Sequence, residues 1–359
     1  MVTKYKIFYL KFLYIFFVFL SLNIFFFSTT KVYGKAFNIN NVEISEPFQI
    51  NFDKNEILDE GFKKAFQELI SLIVNSIDKK KINNIKLNEI KGMIESFSIK
   101  EEKFVKEIYY VNLGVSFNKK KIFEFLENKN IFPSIPNEKK FFFIPIVIDE
   151  KKKDLLIFSQ NMIFKEWNNY NKKNYLIEYI LPTEDLEDLR LIKKNYENIE
   201  KYDFKEISNK YYLNDSIIAL IFKNEQQLRI LSRITYKDNI VLINQSFVDL
   251  DLNNKNQVPV IIRELKTIYE DFWKKSNQIN TSIKLSLSVK IETSDNLKIS
   301  NFENVLKELD LIYDFYISKF NKDFIFYEII FNGTTDIFLK TMKENRYSFD
   351  TQNKIWILK

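Results

Sequence analysis

The chain has 359 residues, 54 of them basic and 48 acidic, and 46% of its side chains are hydrophobic. It contains no histidine and no cysteine, which removes Ser-His-Asp and Cys-His catalysis, histidine-bound zinc, an imidazole pH switch and disulfide staples. Its glycines stand alone at Gly34, Gly61, Gly92, Gly114 and Gly333, so neither a G-x-G-x-x-G turn nor a P-loop can form.

The first 34 residues read as an address. Lys4, Lys6 and Lys11 precede an apolar run from Phe12 to Phe27, broken only by Ser21 and Asn23, and Val32 and Gly34 follow with Val-x-Gly spacing. A basic stretch, an apolar core and a small-residue cleavage pattern, in that order, make a signal peptide over residues 1–34. The run is slightly longer than the ~7–15 residues of a signal core and slightly shorter than the ~20 that span a bilayer. The Val-x-Gly pattern favours removal; the alternative is a retained inner-membrane anchor touching the membrane through residues 12–27. In both cases the lysines hold the N-terminus in the cytoplasm, and the rest of the chain is expected outside it, in the periplasm. The leader carries four lysines and no acid, so the remainder has 50 basic against 48 acidic residues, a net charge of +2. The basic balance therefore does not call for nucleic acid.

Three modules are expected after the leader. In the first, residues 38–130, Val42, Ile44, Phe48 and Ile50 read as extended, and Phe62, Ala65, Phe66, Leu69, Ile70, Ile73 and Ile77 recur at helical spacing. Leu87, Ile90, Ile94 and Phe97 suggest a second helix. The charged segment 98–106 reads as an edge strand. In 108–117, Val111, Leu113, Val115 and Phe117 alternate with polar or small residues as in a half-buried strand. A helix over 119–127 closes the module, and Pro133 and Pro136 with Ser134 and Asn137 mark a linker.

The second module, residues 138–254, opens with the apolar run 141–148, and 216–222 is another. Strands buried on both faces look like this, so an α/β layer arrangement is expected. Between them lie a helix near 160–170 carrying Trp167, a strand at 175–181 and helices near 184–196 and 204–211. A hairpin from 228 to 247 follows. The third module, residues 257–359, starts with a helix bearing Ile261, Leu265, Ile268, Tyr269 and Phe272. The order β-α-β-β-α-β then predicts a ferredoxin-like α+β unit.

Each candidate for chemistry has a plainer structural explanation. Thr183-Glu184-Asp185-Leu186-Glu187-Asp188 is dense in acid, but it follows Pro182, where Thr183 can cap a helix whose first turn favours carboxylates. Asp249-Leu250-Asp251-Leu252-Asn253 begins like a calcium loop and then places Asn254 where glycine is needed and Val260 where a bidentate acid is needed. Ser76-Ile77-Asp78-Lys79 has Ser-x-x-Lys spacing, yet the serine is expected to close a helix, not open one. Lysine runs at 79–81, 119–121 and 151–153 read as solvated faces. Trp167, Trp273 and Trp356 read as packing residues, and the Tyr170–Lys173 mixture supports no ligand beyond its composition.

The segment Pro182-x-x-Asp185-Leu186-Glu187-Asp188 resembles the motif of the proteobacterial envelope family catalogued as domain of unknown function 2066. The order of features agrees: an Ala/Phe-rich helix at Ala65–Leu69, a tyrosine-bearing strand pair at Tyr109–Phe117, an apolar strand at Phe142–Ile148 and a tryptophan helix at Trp167. Glu184 departs from the small residue common there. The resemblance spans most of the chain after the leader but implies no catalytic residue, because that family has no established activity.

The sequence therefore leads to an exported protein of a Gram-negative envelope that works by binding another envelope component, without cofactor, metal or nucleic acid. A hydrolase or transferase acting on an envelope polymer through carboxylates, Ser or Lys is the alternative, and an inner-membrane-tethered accessory protein is a second.

Overall fold

The computed structural model describes residues 37–48, 52–172, 174–224, 227–248, 250, 252, 254 and 256–359. The leader lies outside these residues, as do Ile50, Lys173, Asp249, Asp251 and Asn253. Among the described residues the chain is a mixed α+β protein with three sheets and ten α-helices. None of those helices is long and apolar enough to cross a membrane.

The first module contains β1 (Asn38–Pro47), α1 (Lys54–Ile73), α2 (Ser76–Lys79), α3 (Leu87–Met93), β2 (Ile94–Val105), β3 (Ile108–Phe117) and α4 (Lys119–Asn128). Its antiparallel sheet has the order β1-β3-β2. β3 takes the centre because Tyr109, Val111, Leu113, Val115 and Phe117 form one apolar face, while β2 stays solvated at the edge. The stripe of α1 covers that apolar face, and Asp53 caps the helix by accepting from the Asn55 N–H at 2.8 Å. Gly61 lets helix and sheet approach closely, since a Cβ there would run into Leu113 Cδ1.

Two expectations fail in this module. α1 stops at Ile73, so Ile77 does not extend the stripe and is 77% exposed. Ile94 and Phe97 are not helical; they begin β2. A two-turn helix gains few internal hydrogen bonds, whereas pairing with β3 satisfies a whole ladder.

The second sheet is built around β4 (Lys139–Asp149). The chain continues through β5 (Asp154–Leu156), α5 (Met162–Glu166) with a 3₁₀ turn at 167–170, β6 (Ile177–Ile180), α6 (Leu186–Lys194), α7 (Lys205–Asn209), β7 (Ser216–Lys223), β8 (Gln227–Tyr236) and β9 (Asn239–Val248). The strand order is β5-β4-β7-β8-β9, and β6 also pairs with β4. β4 runs parallel to both β6 and β7. Its side chains feed two cores: Phe141, Phe143 and Val147 on one face, Phe142, Ile144, Ile146 and Ile148 on the other. Pro145 sits where β4 passes from β6 to β5, so its missing N–H interrupts no ladder on that edge. Its carbonyl accepts from buried Asn161 Nδ2 at 2.9 Å.

The helix that introduced the third module in the sequence reading, α8 (Val258–Ser276), packs on this second sheet instead. Val258, Ile261, Ile262, Leu265, Tyr269 and Trp273 share a core with Phe141, Phe143 and Ile217. The five-residue α5 is too short to cover that face alone.

The remaining elements are β10 (Lys284–Glu292), α9 (Asn296–Glu308), β11 (Ile312–Phe320), β12 (Phe324–Asn332), α10 (Thr335–Glu344), β13 (Phe349–Asp350) and β14 (Ile355–Leu358). The helix α9 starts at Asn296 because Asp295 caps it, accepting from the Lys298 N–H at 2.9 Å. The sheet order is β11-β12-β10-β14-β13, so the β-α-β-β-α-β succession is present with the final strand doubled into a hairpin. β14 slots between β10 and β13 and runs parallel to β10.

The first and third modules share one continuous core. Helix α4 leans on β11: Lys119 Nζ donates to the Leu309 carbonyl at 2.6 Å and Tyr313 Oη to Glu124 at 2.8 Å. The Pro133–Asn137 segment is accordingly not a loose linker. Ser134 N–H donates to the Ile73 carbonyl, and Ile279 N–H to that of Pro133, both at 2.8 Å, so the chain enters and leaves the second sheet side by side. Phe338 is fully buried in the shared core. Phe338→Ala should cost about 3–5 kcal/mol, and hydrogen exchange should show lost protection in β3 as well as β12, with β7 less affected.

Candidate functional site

The residues singled out in the sequence are not brought together. Pro182 is buried at the turn from β6 into α6. Asp185, not Thr183, caps α6, accepting from the Glu187 N–H at 2.7 Å, and that bond first, with Lys210 nearby, lowers its pKa. Glu184 accepts from Ser159 Oγ at 3.2 Å. Leu186 is 72% exposed and Glu187 points to solvent. Asp188 is buried, with Oδ1 2.6 Å from Lys210 Nζ and Oδ2 meeting no donor among the described residues. Trp167 lies on the opposite face of the sheet, stacked on Phe143 at 4.0 Å, in the core that α8 covers. The acidic run is thus a helix start whose Asp185 and Asp188 both pair with Lys210. Among the described residues no group of three or more Asp or Glu converges as metal ligands would.

A different cluster carries the buried charge. Lys266, Glu270 and Lys274 recur every four residues of α8, so they share one face, and they are 0%, 3% and 5% exposed. Lys266 Nζ lies 5.0, 5.8 and 5.2 Å from the ring centroids of Trp167, Tyr175 and Tyr179 and donates to Asn171 Oδ1. Glu270 accepts the N–H groups of Leu176 and Ile177, at 3.0 and 2.9 Å, where the chain enters β6. Lys274 donates to the Ser71 and Val74 carbonyls at the end of α1, at 2.5 and 3.4 Å. This face of α8 therefore fastens the second sheet to the first module.

Ser76-Ile77-Asp78-Lys79 meets the same helix. The serine opens α2, contrary to expectation, because α1 has already ended at Ile73. Its N–H donates to Asp271 Oδ1 at 2.8 Å and its hydroxyl to Asp271 Oδ2. Burial lowers the pKa of Lys79, opposed by Asp271. The lysine run at 119–121 is not wholly solvated either. Burial pulls Lys119 down to about 8, against the opposing charge of Asp310.

The outer surfaces are apolar where the sheets end. On β2, Phe97, Phe104 and Val105 are 48%, 57% and 44% exposed. Phe104 packs edge-on against Phe48 at 5.1 Å, and both flank Phe52 and Tyr109. On β9, Ile240, Leu242 and Val248 are 60–63% exposed, and on β11 Tyr316, Ile317 and Phe320 are similarly open. A groove of about 420 Å³ on the first sheet is lined by Glu43, Lys64, Glu101, Lys103 and Tyr110. No histidine or cysteine can serve there as nucleophile or base.

Among known proteins, no family model and no curated protein matches this chain.

Burial pulls Lys266 and Lys274 down to about 8 from 10.5, and raises Glu270 against its two backbone N–H bonds. Below pH 8 both lysines are charged in either state, and the folded chain bears the full burial cost. Between about pH 8 and 10 the unfolded chain binds more protons, so stability should rise with pH in urea titrations. Tyrosines held protonated by burial, Tyr269 among them, do not alter that slope until pH 10. Glu270→Ala leaves two lysines without their shared carboxylate and should cost about 3–5 kcal/mol in the same assay.

Proposed function

We propose that this is an exported envelope protein whose work is binding, with its sheet edges as contact surfaces. The observation that carries the reading is that each of the three sheets ends on a strand bearing large, solvent-facing apolar side chains. An edge strand offers unpaired N–H and C=O groups, and natural proteins usually cover or charge such edges unless a partner uses them. Phe48 and Phe104 add an aromatic pair at the end of the first sheet, of the kind that fills partner pockets. The address rests on the basic and apolar leader, and membership of the envelope family on the motif order from Ala65 to Asp188. The partner in this reading is another envelope component.

The hydrolase alternative has one feature in its favour, the contact of Ser76 with Asp271 beside Lys79. There the serine hydroxyl donates to a carboxylate that also holds the serine N–H, which suits a helix tie better than a nucleophile.

Two measurements test the proposal. N-terminal sequencing of the protein recovered from cells should begin near Lys35; an intact leader on membrane-bound protein would favour the tether, and an intact leader on cytoplasmic protein would defeat export. Photocrosslinkers at Phe104 and Tyr316 should capture a defined envelope species, while one at Lys340 on α10 should not. Equal labelling at all three positions would remove the case for edge contacts.

A further inference from the structure

Among the three apolar edges, β9 is singular in its chemistry. Its ten residues, Asn-Ile-Val-Leu-Ile-Asn-Gln-Ser-Phe-Val, include no charge. The other two edges are guarded: β2 carries Glu95, Lys100, Glu101, Glu102 and Lys103, and β11 carries Asp314 and Lys319. Charged side chains on an edge strand repel strand addition, and β9 has none. It is also long and regular. It pairs with β8 without a bulge from Gln227↔Val248 to Tyr236↔Asn239, and no described strand lies on its other side.

We infer that β9 is a self-pairing edge, joining antiparallel to β9 of a second copy across a two-fold axis so that two six-stranded sheets become one. This rests on the reading of the sheet edges as contact surfaces and names one occupant for one of them.

The order of side chains along the strand selects both the occupant and the register. In an antiparallel two-fold pair one residue must face its own copy. With Gln245 at that position, Leu242 faces Val248 of the second copy, Ile243 faces Phe247, and Asn244 faces Ser246. Apolar residues then meet apolar residues on both faces and the polar residues gather at the centre, whereas centring on Asn244 would set Leu242 against Ser246 and Ile243 against Gln245. A strand without charge brings no like-charge repulsion to its own copy, whereas a self-pair of β2 centred anywhere on residues 100–103 sets one of those charges against itself. Leu242 and Val248, both exposed in the single chain, come side by side on one face of the joined sheet.

The test uses the full chain and exploits its lack of cysteine. Gln245→Cys introduces a single thiol. Directly opposed residues of an antiparallel pair lie ~4.5–5.5 Å apart between Cα atoms, within the ~4.4–6.8 Å that a disulfide bridges. Mild oxidation should link Gln245→Cys into a covalent dimer, while Ser246→Cys, offset from its own copy, should link far less. Light scattering on the unmodified chain should give twice the chain mass, and Leu242→Lys, at a 60% exposed position, should return it to the monomer mass with its circular dichroism unchanged. A monomer mass for the unmodified chain at tens of micromolar, or equal crosslinking at positions 245 and 246, would overturn the inference. Retained capture at Phe104 and Tyr316 with a monomeric β9 would sink the self-pairing and leave the binding reading standing. Loss of capture with the dimer intact would do the reverse.

Discussion

Helix α8 is the element on which the rest of the structure depends. Its apolar stripe closes one face of the second sheet, and the adjacent face carries Lys266, Glu270 and Lys274 into a buried seam. Three separate segments end on that seam: the loop at Asn171, the start of β6 at Leu176 and Ile177, and the last turn of α1 at Ser71 and Val74. Each buried charge meets donors, acceptors or ring faces suited to it. A charge is tolerated in such a place only with partners of that kind, because desolvation without them costs several kcal/mol per ion. The seam therefore specifies which surfaces meet, and it holds the second sheet in one arrangement against the first module.

That arrangement gives the chain an inserted plan. The first and third modules share a core through α4 and β11, and the second sheet is threaded between them by two neighbouring crossings near Ser134 and Gln278. A plan of this kind keeps the three sheets apart and leaves an edge of each facing outward. The contact surfaces proposed for the protein are a consequence of the packing: helices cover the sheet faces, and no described strand pairs with the outer side of β2, β9 or β11.

Much of the secondary structure was legible because periodicity records burial directly. The alternation of Val111, Leu113, Val115 and Phe117 gave β3, and the apolar runs at 141–148 and 216–222 gave strands buried on both faces. Failures came where a local pattern competed with a distant partner. Ile94 and Phe97 fit a helical spacing after Leu87 and Ile90, but β3 supplied a ladder that the helix could not match. Thr183 looked like the cap of α6, and Asp185 took that role because Thr183 is held by Tyr211, whose hydroxyl accepts its N–H. The seam on α8 left a trace in the sequence, since Lys266, Glu270 and Lys274 fall at four-residue spacing beside Ile262, Tyr269 and Trp273. Solvated lysines and glutamates follow the same spacing on any amphipathic helix, so the trace alone could not distinguish a buried charge from an exposed one.

The sequence by itself determined what chemistry is barred, through its lack of histidine, cysteine and glycine-rich turns, and it determined the elements whose burial repeats with a regular period. Only the tertiary structure decided that α8 belongs to the second sheet, that the outer modules share a core, and that the acidic run at 184–188 starts a helix whose Asp185 and Asp188 both pair with Lys210. The physical reason is one of range. Helical and strand periods depend on neighbours a few residues away, whereas a shared core or a buried ion pair depends on surfaces contributed by segments up to about two hundred residues apart, as Ser76 and Asp271 are. No local spacing encodes which of those surfaces will meet.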